Sequence, residues 1–154
     1  MKECTYEESL SMAEVACAKH IVNKTGMTVC VGTNDKGLTD CAVFDIGYLY
    51  TGEHATYQAR AFHFRAKLDI YRRIRKDVQV AVMNILRHFP INADMNADAD
   101  LRQSSNVIVF RVAPQTQGIG EITTVDMQQS KDTRTVRCFT CTVQFDVVFR
   151  AAFD

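Results

Sequence analysis

Apolar positions recur along the chain with two different periods, and the switches between them mark out the elements. In residues 5–24, Leu10, Ala13, Cys17 and Ile21 fall at helical spacing. Ala16 widens the stripe, while Glu7, Glu8, Glu14 and Lys19 lie off it, which predicts an amphipathic helix. Thr5 followed three residues later by Glu8 fits a capping box. Thr25-Gly26 fits a stop, because glycine takes the left-handed conformation past a helix end at least cost.

Period two then takes over. Residues 27–31 form a short β-rich run, and the turn formers of 32–37 separate it from a strand over 41–50. That strand sets Ala42, Phe44, Ile46, Tyr48 and Tyr50 on one face, and Thr51-Gly52-Glu53-His54 closes it. Residues 57–72 alternate cleanly, Phe62, Phe64, Ala66, Leu68 and Ile70 against His63, Arg65, Lys67 and Asp69. The period reverts at Ile74, Val78, Val82, Ile85 and Phe89, predicting a second helix over 75–89 that ends at Pro90. Residues 92–103 are polar and acidic and read as an exposed loop.

Three strands complete the chain, over 107–112, 120–127 and 133–149. In the last, Phe139, Cys141, Val143, Phe145, Val147 and Phe149 oppose Thr140, Thr142, Gln144 and Asp146. At ~3.3 Å per residue it spans more than ~50 Å, so either a bulge bends it or part of its hairpin projects. The order α-β-β-β-α-β-β-β predicts an α+β fold in a single domain. A mostly antiparallel sheet carries two helices on one face and ends in a long C-terminal hairpin.

The chain has 154 residues, with 18 Lys and Arg against 18 Asp and Glu. A core of ordinary size is expected from 47% hydrophobic content. Zero net charge argues against an obligate polyanion binder and permits self-association. The start is acidic and polar and predicts no secretory leader, and no apolar run reaches the ~18–20 residues of a membrane span. The six cysteines, Cys4, Cys17, Cys30, Cys41, Cys138 and Cys141, are therefore expected as reduced thiols.

Chemistry-bearing motifs are sparse. Cys138 and Cys141 make a CxxC, but within an alternating strand the two point to opposite faces and cannot share a metal. His20, His54, His63 and His88 form no ligand pair, and Gly118-Ile-Gly120 reads as a turn. Asp94, Asp98 and Asp100 lack the glycine and glutamate that a Ca²⁺ loop requires. No catalytic, cofactor or metal site is predicted, and the chain is read as non-enzymatic. The strongest bias is basic: Arg60, Arg65, Lys67, Arg72, Arg73, Arg75 and Lys76 are opposed only by Asp69. With a neutral total, this favours a solvated face or salt bridges to a neighbouring subunit over nucleic-acid contact.

The chain resembles the tail terminator (tail completion) proteins of long-tailed bacteriophages. The resemblance lies in the first helix before a strand ending Phe44-Asp-Ile-Gly-Tyr-Leu-Tyr50, and in Phe62-His-Phe-Arg-Ala-Lys-Leu-Asp-Ile-Tyr71 running into helix 78–89. It also lies in the closing Val136-Arg-Cys-Phe-Thr-Cys-Thr-Val-Gln-Phe-Asp-Val-Val-Phe-Arg150. It implies a subunit of a hexameric ring, assembled in the host cytoplasm, that caps the tail tube at the head-proximal end of the virion tail. Tail tube protein and head connector would be its partners, no membrane is involved, and DNA would traverse the lumen without sequence-specific binding. A heterologous interface closes into a ring when its rotation closes. Contact is expected at Arg72, Arg73 and Arg75, at Asp94 and Asp98 of the acidic loop, and at Arg137 and Gln144 of the last strand. The alternatives are a head–tail connector or neck ring subunit, and a small cytosolic α+β enzyme or ligand-binding domain with a pocket under the apolar sheet face near His63 and Tyr48.

Overall fold

The Glu8 carboxylate reaches back to Thr5, accepting its backbone N–H at 3.2 Å and its hydroxyl at 2.8 Å. This is the residue pair that the spacing singled out, and it satisfies donors a helix start leaves orphaned. The computed structural model describes residues 5–34, 37–48, 53–55, 60–89, 107–128 and 134–151. A 3₁₀ turn, Tyr6–Glu8, leads into α1 (Ser9–Thr25), followed by β1 (Val29–Val31), β2 (Cys41–Tyr48), β3 (Glu53–Ala55), β4 (Arg60–Arg72), α2 (Arg75–His88), β5 (Val107–Ile119), β6 (Thr123–Gln128) and β7 (Thr135–Ala151).

Helix α1 stops where the glycine predicts. Gly26 takes φ +73° and donates to the Val22 carbonyl at 2.8 Å. The Thr25 carbonyl, left without an intrahelical partner, accepts from Asn84 Nδ2 of α2 at 2.9 Å. One hydrogen bond therefore both finishes α1 and docks the second helix against it.

The strands form one sheet in the order β1-β2-β4-β7-β5, with β3 also paired to β4 and β6 to β7. Among the described residues, only β1 and β2 run parallel, and every other pairing is antiparallel. The long strands β4 and β7 lie side by side from Arg60↔Ala151 to Arg72↔Phe139. Alternation sends Phe64, Ala66, Leu68 and Ile70 of β4 to the same side as Cys141, Val143, Phe145, Val147 and Phe149 of β7. On that side they form one core with Ala13, Cys17 and Ile21 of α1 and Val78, Ala81 and Ile85 of α2. Phe145, fully buried, meets Phe44 edge-on at 6.2 Å and Phe89 at 5.9 Å between ring centroids. Each such ring is worth roughly 1.5–3 kcal/mol in apolar transfer alone. The α+β class, the antiparallel character and the placement of both helices on one face match the reading of the sequence.

Four details differ from that reading. Glu53–Ala55 is a short strand paired with Arg60–Phe62 and not merely a closing turn. The β2–β4 register shifts between Asp45 and Tyr48, so Tyr48 leaves the Ala42–Phe44–Ile46 series and pairs with Arg65. Glu14, off the helical stripe in sequence, accepts the Ile46 N–H at 2.8 Å beside that bulge. Ile74 does not join the second helix's apolar face: it is 59% exposed at the N-cap, in extended conformation. Last, β5 runs well past residue 112, and Gly118-Ile119 belongs to its end instead of a turn. The strand follows β7 through two register shifts, at Val109/Arg111 and Pro114/Ile119.

Of the two routes expected for the excess length of the last strand, the bulge is not the one seen: β7 pairs with β4 and β6 without a register shift, and the extra residues at the shifts lie in β5. Residues 135–138 of β7 pair with β6 alone, beyond the last β4 partner at Phe139, so this part of the hairpin extends past β4. Pro90 lies outside the described residues.

Candidate functional site

Since α1 and α2 bury their apolar stripes on one side of the sheet, the other side keeps the polar half of each alternating strand. Register sorts its residues into rows across the strands. His63, Val148 and Arg111 form one row, and Arg65, Asp146 and Ala113 the next. Asp45, Lys67 and Gln144 follow, then Val43, Asp69 and Thr142. Four strands distant in sequence thus contribute to one mixed-charge surface.

Two clusters order this surface. Asp146 Oδ1 lies 2.9 Å from His63 Nε2 and accepts from Gln115 Nε2 at 2.8 Å, joining β4, β7 and β5. Thr142 Oγ1 donates to Asp69 Oδ1, and Lys67 Nζ lies 4.0 Å from the other Asp69 oxygen. The pairs are partly exposed, so they contribute modestly to stability and chiefly fix side-chain positions.

The contact residues expected from sequence fall in different places. Arg72 turns back on its own chain, donating from one guanidinium nitrogen to the Cys41 carbonyl at 2.8 Å and to the Tyr71 carbonyl at 2.7 Å. Arg73 Nε donates to Thr39 Oγ1 at 2.8 Å and lies 3.9 Å from Asp40 Oδ2. The two therefore fasten the turn before β2 to the corner between β4 and α2. Arg75 is exposed in the first turn of α2. Arg137 sits on the projecting hairpin, 3.4 Å from Asp126 across the β6–β7 pairing. Gln144 is exposed in the third polar row. Asp94 and Asp98 lie outside the described residues. The structure thus keeps Gln144 with the polar face, moves Arg137 to the hairpin, and brings neither together with Arg72 and Arg73.

Cys138 and Cys141 point to opposite faces as alternation requires, Cys141 into the core and Cys138 away from it. Burial pushes the thiol pKa up at both. It does so at Cys41 to about 11, and more strongly at Cys17, whose burial is reinforced by nearby Glu14. The described cysteines are free thiols. Among the described residues, no group of three or more His, Cys, Asp or Glu side chains is placed to hold a metal ion. No described helix is long and apolar enough to cross a membrane.

His63, expected beside a pocket under the apolar face, stands in the polar row with Val148, and Tyr48 pairs with Arg65. An open groove of about 410 Å³ lies instead at the start of α1, lined by Tyr6, Leu10, Phe62, Phe64 and Phe149 with Glu7 and Ser9. Its walls are aromatic and offer few groups for chemistry.

No family model matches the chain, and no curated protein does.

Sequence reasoning placed His63 and Asp146 on polar faces but did not join them. It overlooked Gln115 and Arg111. No alternation announced them: residues 107–112 are apolar except for Arg111, and the two register shifts of β5 break the period beyond.

Proposed function

We propose that this chain is a structural subunit that works by contact, as a ring-forming virion protein of the tail terminator kind. The observation that carries the reading is the two-sided sheet. Helices cover one face, while the polar rows of the other face and the hairpin beyond Phe139 remain available to neighbours. Surfaces of this kind suit head-to-tail association, because the polar face and the β6–β7 strands beyond Phe139 are different patches and contact between them is heterologous. Neutral overall charge adds no repulsion between copies. In this reading the ring caps a tail tube and offers its other side to the head connector.

Native mass spectrometry of the purified chain, with and without assembled tail tubes, tests the proposal. A closed oligomer, or a ring that forms on tubes, is the expected result. A stable monomer that ignores tubes overturns it. Binding to capsid portals in place of tubes would select the neck-ring alternative.

A further inference from the structure

Helix α2 carries two apolar side chains that its core face does not use. Val78, Ala81 and Ile85 turn inward and are buried. Val80 and Met83 stand on the outer side, 59% and 64% exposed. Three residues apart, they are neighbours on the helix surface. Lys76 and Arg87, both exposed, extend the same stripe by one turn at either end. The outer stripe thus has an apolar centre and a cation at each end, over roughly 16 Å of helix.

The opposite arrangement occurs at the start of α1. There the open groove of about 410 Å³ is walled by rings in succession. Tyr6 meets Phe62 at 6.3 Å between centroids, Phe62 meets Phe149 at 5.4 Å, and Phe149 stacks on Phe64 at 5.6 Å. The border is acidic: Glu7 lines the groove and is exposed, and the Glu8 carboxylate, held by Thr5, follows it. One patch therefore has an apolar centre with basic ends, and the other an apolar centre with an acidic border. An apolar centre ringed by charge is the usual anatomy of a protein–protein contact. A methionine suits an aromatic groove, since its unbranched thioether adapts in shape and is attracted to ring edges.

We infer that the groove receives a second copy of this chain: the outer stripe of α2 seats on the rings at the start of the neighbour's α1, with Met83 entering the groove and the flanking cations drawn to Glu7. Both halves of the contact are present on one chain, complementary in shape and in sign of charge, and they share no residue. Contact between them is heterologous, so it passes head to tail from copy to copy. The inference rests on the reading that copies associate in this manner, and gives the association a seam in the helix layer.

The test spoils each half separately and then mixes the two. Met83→Glu alters only the helix stripe, and its new carboxylate has Arg87 four residues on to support the helix. Tyr6→Lys/Glu7→Lys alters only the groove, and Glu7→Lys alone leaves every ring in place. Circular dichroism checks the fold of each, and native mass spectrometry and sedimentation read the association. Met83→Glu and Tyr6→Lys/Glu7→Lys should each weaken association about tenfold or more, and Glu7→Lys alone by a smaller factor. An equimolar mixture of Met83→Glu with Glu7→Lys or with the double variant should give a 1:1 pair. In that pair the intact groove of the first protein holds the intact stripe of the second, and the spoiled patches stop further growth. A closed oligomer indifferent to all three variants overturns the inference and leaves the ring reading standing. Folded variants whose mixture yields no pair also overturn it. Chains that grow through the two patches without closing uphold the seam and overturn the ring, and a wild type that stays monomeric at every concentration overturns both.

Discussion

His63 Nε2 lies 2.9 Å from Asp146 Oδ1 although 83 residues separate them, and Gln115 Nε2 meets the same oxygen at 2.8 Å. One carboxylate on β7 thereby ties together the strands on both its sides, within the face that the helices leave uncovered.

Asp146→Ala should cost more than Gln115→Ala, because it strips acceptors from donors on two strands at once. About 1–2 kcal/mol is expected for the first and less than ~1 kcal/mol for the second, read as midpoint shifts in urea at constant slope. A double-mutant cycle on His63 and Asp146 should return ~0.5–1 kcal/mol, as befits a partly exposed pair. A coupling of zero would show that the contact orders nothing.

The bulge at the end of β5 makes a second prediction. A Cβ at Gly118 would stand 2.9 Å from the Gln144 carbonyl oxygen and 3.0 Å from that of Gln115, both backbone atoms. Gly118→Ala must push β5 off β7, at a cost of about 1–3 kcal/mol. Amide exchange should quicken at Gln144 and Ile119 while protection near Leu68 is kept. Unchanged stability would mean that this end of β5 is free to move.

Core and rim should separate sharply. Phe145 is fully buried against Phe44 and Phe89, whereas Ile74 is 59% exposed. Phe145→Ala is expected to lose about 3–5 kcal/mol, and Ile74→Ala to stay within about 0.5 kcal/mol of wild type. Comparable losses at both sites would contradict the exposed N-cap.

The thiols give a pH dependence. Burial raises Cys41 to about 11 and pushes Cys17, Cys138 and Cys141 up as well. Tyr71 also rises by burial, with Asp69 nearby. A raised pKa means that the folded state holds the proton more tightly. The associated stability is complete below the unfolded thiol value of about 8.5 and is lost as pH climbs through about 11. Unfolding midpoints should therefore fall across that alkaline window. At pH 8, Cys17 and Cys41 should react with a thiol reagent far more slowly in the folded protein than in urea. Equal rates in the two states would contradict the burial.

How much was legible in the sequence follows from the range over which each signal acts. Thr5, Glu8 and Gly26 report their own helix because capping is settled within a few residues. The strict alternation of 62–70 and 139–149 reports two half-buried strands for the same local reason. Ile74 misled because periodicity cannot tell a helix's first turn from the cap before it. The short strand β3 misled because three residues become a strand only when a partner supplies the hydrogen bonds. Arg72 and Arg73 read as a solvated face or as contacts to a neighbouring subunit, since nothing in their neighbourhood reveals that residues 39–41 fold back on them.

By itself the sequence determined the two helices, most of the strands and the division of each long strand into an apolar and a polar side, all of which depend on steric and transfer preferences of nearby residues. Tertiary structure decided which polar sides meet. The bulges at Asp45/Tyr48, Val109/Arg111 and Pro114/Ile119 change register by residues that no period announces. In a sheet, a slip of one position exchanges the two faces. The meeting of His63 with Asp146 and Gln115, and the arrival of Arg111 beside them, are properties of pairing between strands far apart in the chain.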